Sequence, residues 1–238
     1  MPARVRIPSP ALFLLLIIEV VNVYELLVKV VPLAVASTMS PVVFGIAVAL
    51  LAGKVHQIKR TLAFFLGAII TVIILALIGS FLGGGGADAG IKAFHPSASM
   101  DLVLGVLFIA FGIMSVRPSK EKGPKVEKEG GKAGLAKWFV VGFLTNILNF
   151  DAVLLNITAV KEVFQSGIAF GQEIAVTVLC DLFFLLPVLL PLAVYLVYPE
   201  KAKKVLEPLG VLMKKYGGYI VMAIFFVFGG YFIMRGMG

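Results

Sequence analysis

Six apolar runs, at residues 9–53, 61–83, 100–116, 138–160, 168–197 and 212–234, take up most of this 238-residue chain. Most are close to the ~20 residues that a tilted helix needs to cross about 30 Å of hydrocarbon. Hydrophobic residues make up 60% of the sequence and charged residues 14%. Mean hydropathy is +1.05. A water-soluble fold of this size cannot hide that much apolar surface, whereas lipid accepts it. The pattern predicts an all-α membrane protein with six transmembrane helices, or seven if the first run crosses twice.

The first run is the exception in length. As a single helix its 45 residues would extend roughly 67 Å, about twice the bilayer. It must bend, and Pro32 and Pro41 are the expected places. Two arrangements fit: an interfacial helix near 10–22 followed by a span, or two spans in a hairpin. Glu19, Glu25 and Lys29 in its first half favour the interfacial position. Arg4 and Arg6 ahead of 11–18 resemble the start of a signal peptide. No small-x-small site follows, since Asn22-Val23-Tyr24-Glu25 comes next, and the segment is read as retained.

Basic residues mark alternate loops. Lys54, Lys59 and Arg60 follow the first run. Arg117, Lys120, Lys122, Lys125, Lys128, Lys132 and Lys137 follow the third, and Lys201, Lys203, Lys204, Lys214 and Lys215 follow the fifth. The other loops hold only Lys92 and Lys161. The positive-inside rule places the rich loops in the cytoplasm of a multi-pass cell-membrane protein, with the C-terminus outside. The net charge of +8 therefore records topology, and no nucleic-acid partner is inferred. The segments expected are an N-terminal helix or extra span at 1–24, a three-helix repeat at 25–117, a charged cytoplasmic linker at 118–137 and a second three-helix repeat at 138–238. The linker's Lys and Glu blocks suit contact with anionic membrane lipids. A homodimer is compatible with the sequence.

Three spans on each side of a cytoplasmic linker run in opposite senses, the inverted-repeat plan of many secondary transporters. That plan predicts an interrupted first helix in each half. Ala36-Ser37-Thr38-Met39-Ser40-Pro41 interrupts the first half, and Thr145-Asn146-Ile147-Leu148-Asn149-Phe150-Asp151 stands in the matching place of the second. Hydroxyl and amide side chains can satisfy carbonyls released at such a break, and the opened turn presents backbone to a ligand. Ser37, Thr38, Ser40, Pro41, Thr145, Asn146 and Asn149 are thus the candidate substrate-binding residues.

Ionisable groups inside a span cost about 2.5–3.5 kcal/mol on insertion scales and need a reason. Asp151 lies beside the second break and Asp181 near the middle of the fifth run, with Glu173 and Thr177 at earlier turns of the same face. Asp151, Asp181 and Glu173 are the candidate groups for cation or proton coupling. Thr145, Asn149 and Asn156 are spaced to share a helix face. Asp101 opens its run and is read as an N-terminal cap.

Several chemistries are excluded. The single Cys180 forms no disulfide within the chain and no dithiol relay, and His56 and His95 show no metal-ligand spacing. No metal, no cofactor and no enzyme activity is expected, because no nucleophile–base pair is present. Residues 83–86, all glycine, read as an outer turn rather than a phosphate loop. Asn156-Ile157-Thr158 matches a glycosylation sequon only by chance, since it lies inside a span.

Four stretches carry a family resemblance. Leu33-Ala34-Val35-Ala36-Ser37-Thr38-Met39-Ser40-Pro41 resembles the first-helix Ser-Pro motif of the LysE superfamily of exporters, and within it of the Gap family with its sulfolipid-addressing Sap proteins. Lys59-Arg60-Thr61-Leu62-Ala63-Phe64-Phe65-Leu66-Gly67 resembles that group's second-helix opening. Leu185-Leu186-Pro187-Val188-Leu189-Leu190 and Tyr198-Pro199-Glu200-Lys201-Ala202 are similar to its fifth helix and following loop. The resemblance covers roughly 25–236. Phe150 replaces the proline that usually follows Asn149, and the first motif lacks the Pro-Gly-Pro of amino-acid exporters. Both departures turn the inference away from an amino-acid cargo. The resemblance implies export of a small solute or a lipid-linked molecule, with cation or proton coupling expected from the intramembrane carboxylates. The rival reading is a membrane assembly or accessory protein that transports nothing itself.

Overall fold

The computed structural model describes residues 10–53, 56–84, 98–115 and 134–237, with nearly all side chains beyond residue 19. The expectations for Lys54, Lys92, His95, Gly85, Gly86 and most of the 118–137 linker fall outside these residues. The described residues form eight helices: α1 (Pro10–Ser37), α2 (Pro41–Leu51), α3 (Gln57–Leu82), α4 (Ala98–Ser115), α5 (Leu135–Ile147), α6 (Phe150–Gln165), α7 (Phe170–Val197) and α8 (Ala202–Met237). Among them, Val20–Ser37 of α1, all of α3 and α7, and Lys204–Met237 of α8 are long and apolar enough to cross a membrane. α5 and α6, bent by 72° at their junction, pass the same test as a pair, and the apolar helices α2 and α4 are shorter. The chain is a helical membrane protein of several passes.

The first apolar run is not interrupted at Pro32. α1 continues through it, as α7 continues through Pro187 and Pro191 and α8 through Pro208. Neighbouring helices in a bundle can accommodate a proline's missing donor, so it need not end the helix. The interruption falls instead at Thr38–Ser40. Ser40 adopts φ −107°, ψ 89°, and Pro41 starts α2 as its first helical residue. A residue before proline is pushed out of the α region, while proline at the first position costs no hydrogen bond. The second interruption has no proline. Leu148 ends α5, and Asn149 at φ −80°, ψ 70° precedes α6. Asparagine favours such helix-flanking positions.

Close glycine contacts fix how the helices run past one another. A Cβ on Gly142 of α5 would overlap the carbonyl oxygen of Phe64 on α3, and one on Gly67 would overlap that of Phe139. Further along, a Cβ on Gly79 would meet the Val160 side chain of α6 at 2.7 Å, and one on Gly83 would meet Phe164 at 2.6 Å. α5 followed by α6 therefore tracks α3 along its length in the same direction. α4 and α8 pack antiparallel: Gly105 abuts Ile233 and Gly229, and Gly112 abuts Phe225. α2 also runs against α8, with Phe44 beside Gly210 and Met39 beside Gly217.

Small residues let helix backbones approach where lipid supplies no hydrophobic drive. Larger side chains fill the middle. Leu33, Phe108, Leu155, Val163, Phe225 and Phe232 are buried in one cluster, with Phe108 edge-on to Phe225 at 4.9 Å between ring centroids. Val103, Val106, Leu77 and Val227 face outward, which suits lipid. Because Gly142 meets backbone rather than a movable side chain, Gly142→Val should separate α3 from α5 and destabilise the protein by at least about 2 kcal/mol. Thermal unfolding in detergent should show this, whereas Gly134→Val, at a position with open space, should leave stability within about 0.5 kcal/mol.

Candidate functional site

The two interruptions meet. Asn149 Nδ2 donates to Ser40 Oγ at 3.0 Å, joining residues 109 apart in sequence. Each is the residue just before a half-helix, and neither side chain caps its own helix. The ends of the preceding half-helices look after themselves. Ser37 Oγ donates to the Ala34 carbonyl and Thr38 Oγ1 to that of Val35, both at 2.7 Å. Asn146 Nδ2 donates to the Gly142 carbonyl at 2.8 Å. The expected use of hydroxyl and amide groups on released carbonyls is thus met by Ser37 and Thr38. Two helix N-termini, with their unpaired backbone N–H groups and positive dipole ends, converge at this contact. Ser37, Ser40 and Asn146 are buried, and Pro41 and Asn149 are half-buried.

The remaining candidates divide between two places. Asp181 on α7 accepts from Asn156 Nδ2 at 3.2 Å. Asn156 is fully buried, and its Oδ1 has no partner, nor has the Thr177 hydroxyl one turn from Asp181. Glu173 and Thr177 do share a helix with Asp181, as their spacing predicts. Thr145 does not share a face with Asn149 and Asn156, because the 72° bend separates it from α6. Asp151 lies in the first turn of α6 and is half-buried, like Thr145 and Glu173.

A third group of polar residues was not recognised as a group from the sequence. Lys161 is fully buried in α6, not in a loop, and its Nζ binds Asp101 Oδ1 at 2.9 Å and Glu162 Oε1 at 3.3 Å. Asp101 is no simple cap, because its carboxylate also takes a forked pair of bonds from Arg235 of α8, at 2.6 and 2.7 Å. Arg235 forks onto Glu162 as well, with both bonds at 3.0 Å, and reaches Gln165 Oε1 at 3.3 Å and the Tyr231 hydroxyl at 3.2 Å. The guanidinium lies over the rings of Tyr231 and Phe232, at 5.4 and 5.2 Å. Two carboxylates face two cations, so the quartet is neutral. A signal did exist: Lys161 and Arg235 are basic residues at the end of the bundle opposite the lysine-rich loops, where the charge rule makes them anomalous.

Asp101, Glu162 and Arg235 of the quartet line a cavity of about 730 Å³ together with Asn22, Glu25, Leu26 and Lys29 of α1, Gly83, and residues 164–167. None of the ten residues singled out from the sequence lines it. Among the described residues no set of His, Cys, Asp and Glu side chains could hold a metal ion.

Residues 30–238 match the family model for Sap, sulfolipid-1-addressing protein. The chain belongs to that family. No curated protein and no solved structure matches it. In this Sap-family chain the matched stretch takes in both interruptions and all four quartet charges, and leaves out Asn22, Glu25 and Lys29 on the cavity rim.

Removing one member of a buried ion network strands its partners, at about 3–5 kcal/mol. Lys161→Met should therefore lower thermal stability by that order. Lys161→Met with Glu162→Gln keeps the Asp101–Arg235 pair balanced and should recover most of the loss. A double-mutant cycle by thermal unfolding in detergent checks the coupling.

Proposed function

We propose that this protein exports a small solute or a lipid-linked molecule across the cell membrane, using the paired helix breaks as its binding site. The observation that carries the reading is the Asn149–Ser40 hydrogen bond between the two breaks. Half-helix ends that meet at mid-bundle are how secondary transporters present backbone groups to cargo. In this reading α1 with α2 makes one crossing and α5 with α6 another. Together with α3, α4, α7 and α8 they give six crossings of alternating direction, as two inverted halves with the lysine-rich loops cytoplasmic. The parallel course of α3 beside α5 and α6, and the antiparallel α4–α8 pair, support that alternation.

Ser37, Thr38, Ser40, Pro41, Thr145, Asn146 and Asn149 contact cargo in this scheme. Asp181 is the first coupling group in this scheme, and Asp151 and Glu173 are the further candidates for that role. Asp181 sits in a span bonded to a neutral amide, the setting in which a carboxyl can exchange a proton or cation as the bundle rearranges. The family's description names sulfolipid-1 addressing, which makes an anionic amphiphile the first cargo to test.

A second reading, a non-transporting assembly subunit, is favoured by one observation. Ser37, Ser40 and Asn146 are packed shut and stand apart from the described cavity.

Flux of a labelled sulfated glycolipid in proteoliposomes separates the two readings. Asn149→Ala and Asp181→Asn should each slow it at least about tenfold, equivalent to ~1.4 kcal/mol of barrier, with the fold intact by gel filtration. Flux through the wild type that neither variant changes would move the site elsewhere. No flux in the wild type would favour the assembly subunit.

A further inference from the structure

The ion quartet joins α6 to the α4–α8 pair, with which α6 also shares one buried apolar cluster. Asp101 comes from α4 and Arg235 from α8, two helices packed along their length. Lys161 and Glu162 are neighbours on α6, which packs mainly on α1, α3 and α7. Two sets of bonds cross between these units: Lys161 to Asp101 at 2.9 Å, and Arg235 to Glu162 with both at 3.0 Å. Within the units, Asp101 stays forked to Arg235 and Lys161 stays beside Glu162. If α6 parts from α4 and α8, the four charges divide into two neutral pairs. Neither unit is left with an uncompensated buried charge, which is the outcome that makes broken buried ion pairs expensive.

The quartet's place gives that divisibility a use. On its outer side lies the 730 Å³ cavity, which Asp101, Glu162 and Arg235 line together with Glu25 and Lys29. On its inner side, one helical turn from Glu162, the Thr158 hydroxyl is fully buried without a hydrogen-bond partner. Asn156 Oδ1 and the Thr177 hydroxyl are likewise unpartnered further in. Asn149 is thirteen residues, or about 20 Å, below Glu162 along α6. Polar groups without partners on the inner side of a charged plug are what a route to the breaks would contain, since dry packing alone gives no reason to bury them.

We propose that Asp101, Lys161, Glu162 and Arg235 form a separable charge latch closing the outer end of a path from the helix breaks to the cavity. The latch opens when α6 moves away from the α4–α8 pair, and each side carries off a neutral ion pair. This rests on the reading of the bundle as a transport route.

Thiol accessibility tests it without any cargo. Thr158→Cys in a Cys180→Ala background puts one cysteine beneath the latch in the full chain. A charged, membrane-impermeant methanethiosulfonate applied from outside should label it slowly. Asp101→Asn with Arg235→Gln takes the charge from one partner in each set of crossing bonds yet leaves Lys161 balanced by Glu162. Labelling from outside should then rise at least tenfold. Arg235→Lys keeps the charge but loses the fork, and should give an intermediate rate; it decides the matter if the double variant does not fold. Unchanged labelling in a folded variant would make the quartet a static anchor and overturn the proposal. Faster labelling only from the cytoplasmic face would also overturn it. A latch that opens in a chain showing no flux overturns the transport reading alone.

Discussion

A helix interrupted inside hydrocarbon releases backbone groups that lipid cannot satisfy, and the rest of this bundle is arranged around that requirement. Here the released groups are met in two ways. Carbonyls at the end of α1 take bonds from Ser37 and Thr38 one turn away. The starts of α2 and α6 are brought face to face, so that Ser40 and Asn149 bond each other instead of their own helices. Bringing them together requires α1 to lie against α6 and α2 against α7, and requires α3 to accompany α5 and α6 from Phe64 to Gly83. The glycines at 67, 79, 83 and 142 follow from this, because helices whose backbones nearly touch leave no room for a Cβ.

Charge is handled by the same logic of local compensation. Arg235 has an acceptor for every donor direction and lies near the Tyr231 and Phe232 rings, 5.4 and 5.2 Å from their centroids. Lys161, with no exposed surface, sits against two carboxylates and over the Phe232 ring at 5.3 Å. Such a network adds little to stability over an apolar core of equal shape, since desolvation offsets most of the attraction. What the quartet does that a single ion pair across the seam could not is leave each side electrically neutral when the two part, because each keeps a carboxylate and a cation of its own.

Much of this was legible in the sequence, and the reasons for the misses are physical. Hydropathy gave the helical membrane class, because a run of apolar residues has few other fates. The break before Pro41 was legible because proline constrains the residue ahead of it. The break at Asn149 was legible only through its correspondence with the first. Continuity through Pro32 was not, since it depends on neighbours that accommodate the missing donor. The meeting of Ser40 with Asn149 was anticipated as a shared site, although spacing alone could not say that they touch. The quartet was hidden because Asp101, Lys161 and Arg235 each sit at the edge of an apolar run, where one charge alone reads as a boundary. Only packing brings three boundaries to one point.

The two polar centres differ in a way that bears on how the bundle can move. The Ser40–Asn149 contact is a single neutral hydrogen bond between the starts of α2 and α6, net worth about 1 kcal/mol. It can exchange for a bond to another polar group at little cost. The quartet is made of several charge-assisted bonds, individually stronger. A bundle closed by one weak link at mid-depth and one strong, divisible link at its end should respond in order. A polar group reaching the breaks can replace the weak link directly, while the strong link yields only to a displacement of α6 as a whole. Because both links involve α6, and its glycine-lined seam with α3 resists independent sliding, motion of α6 and α3 together is the displacement that would connect them.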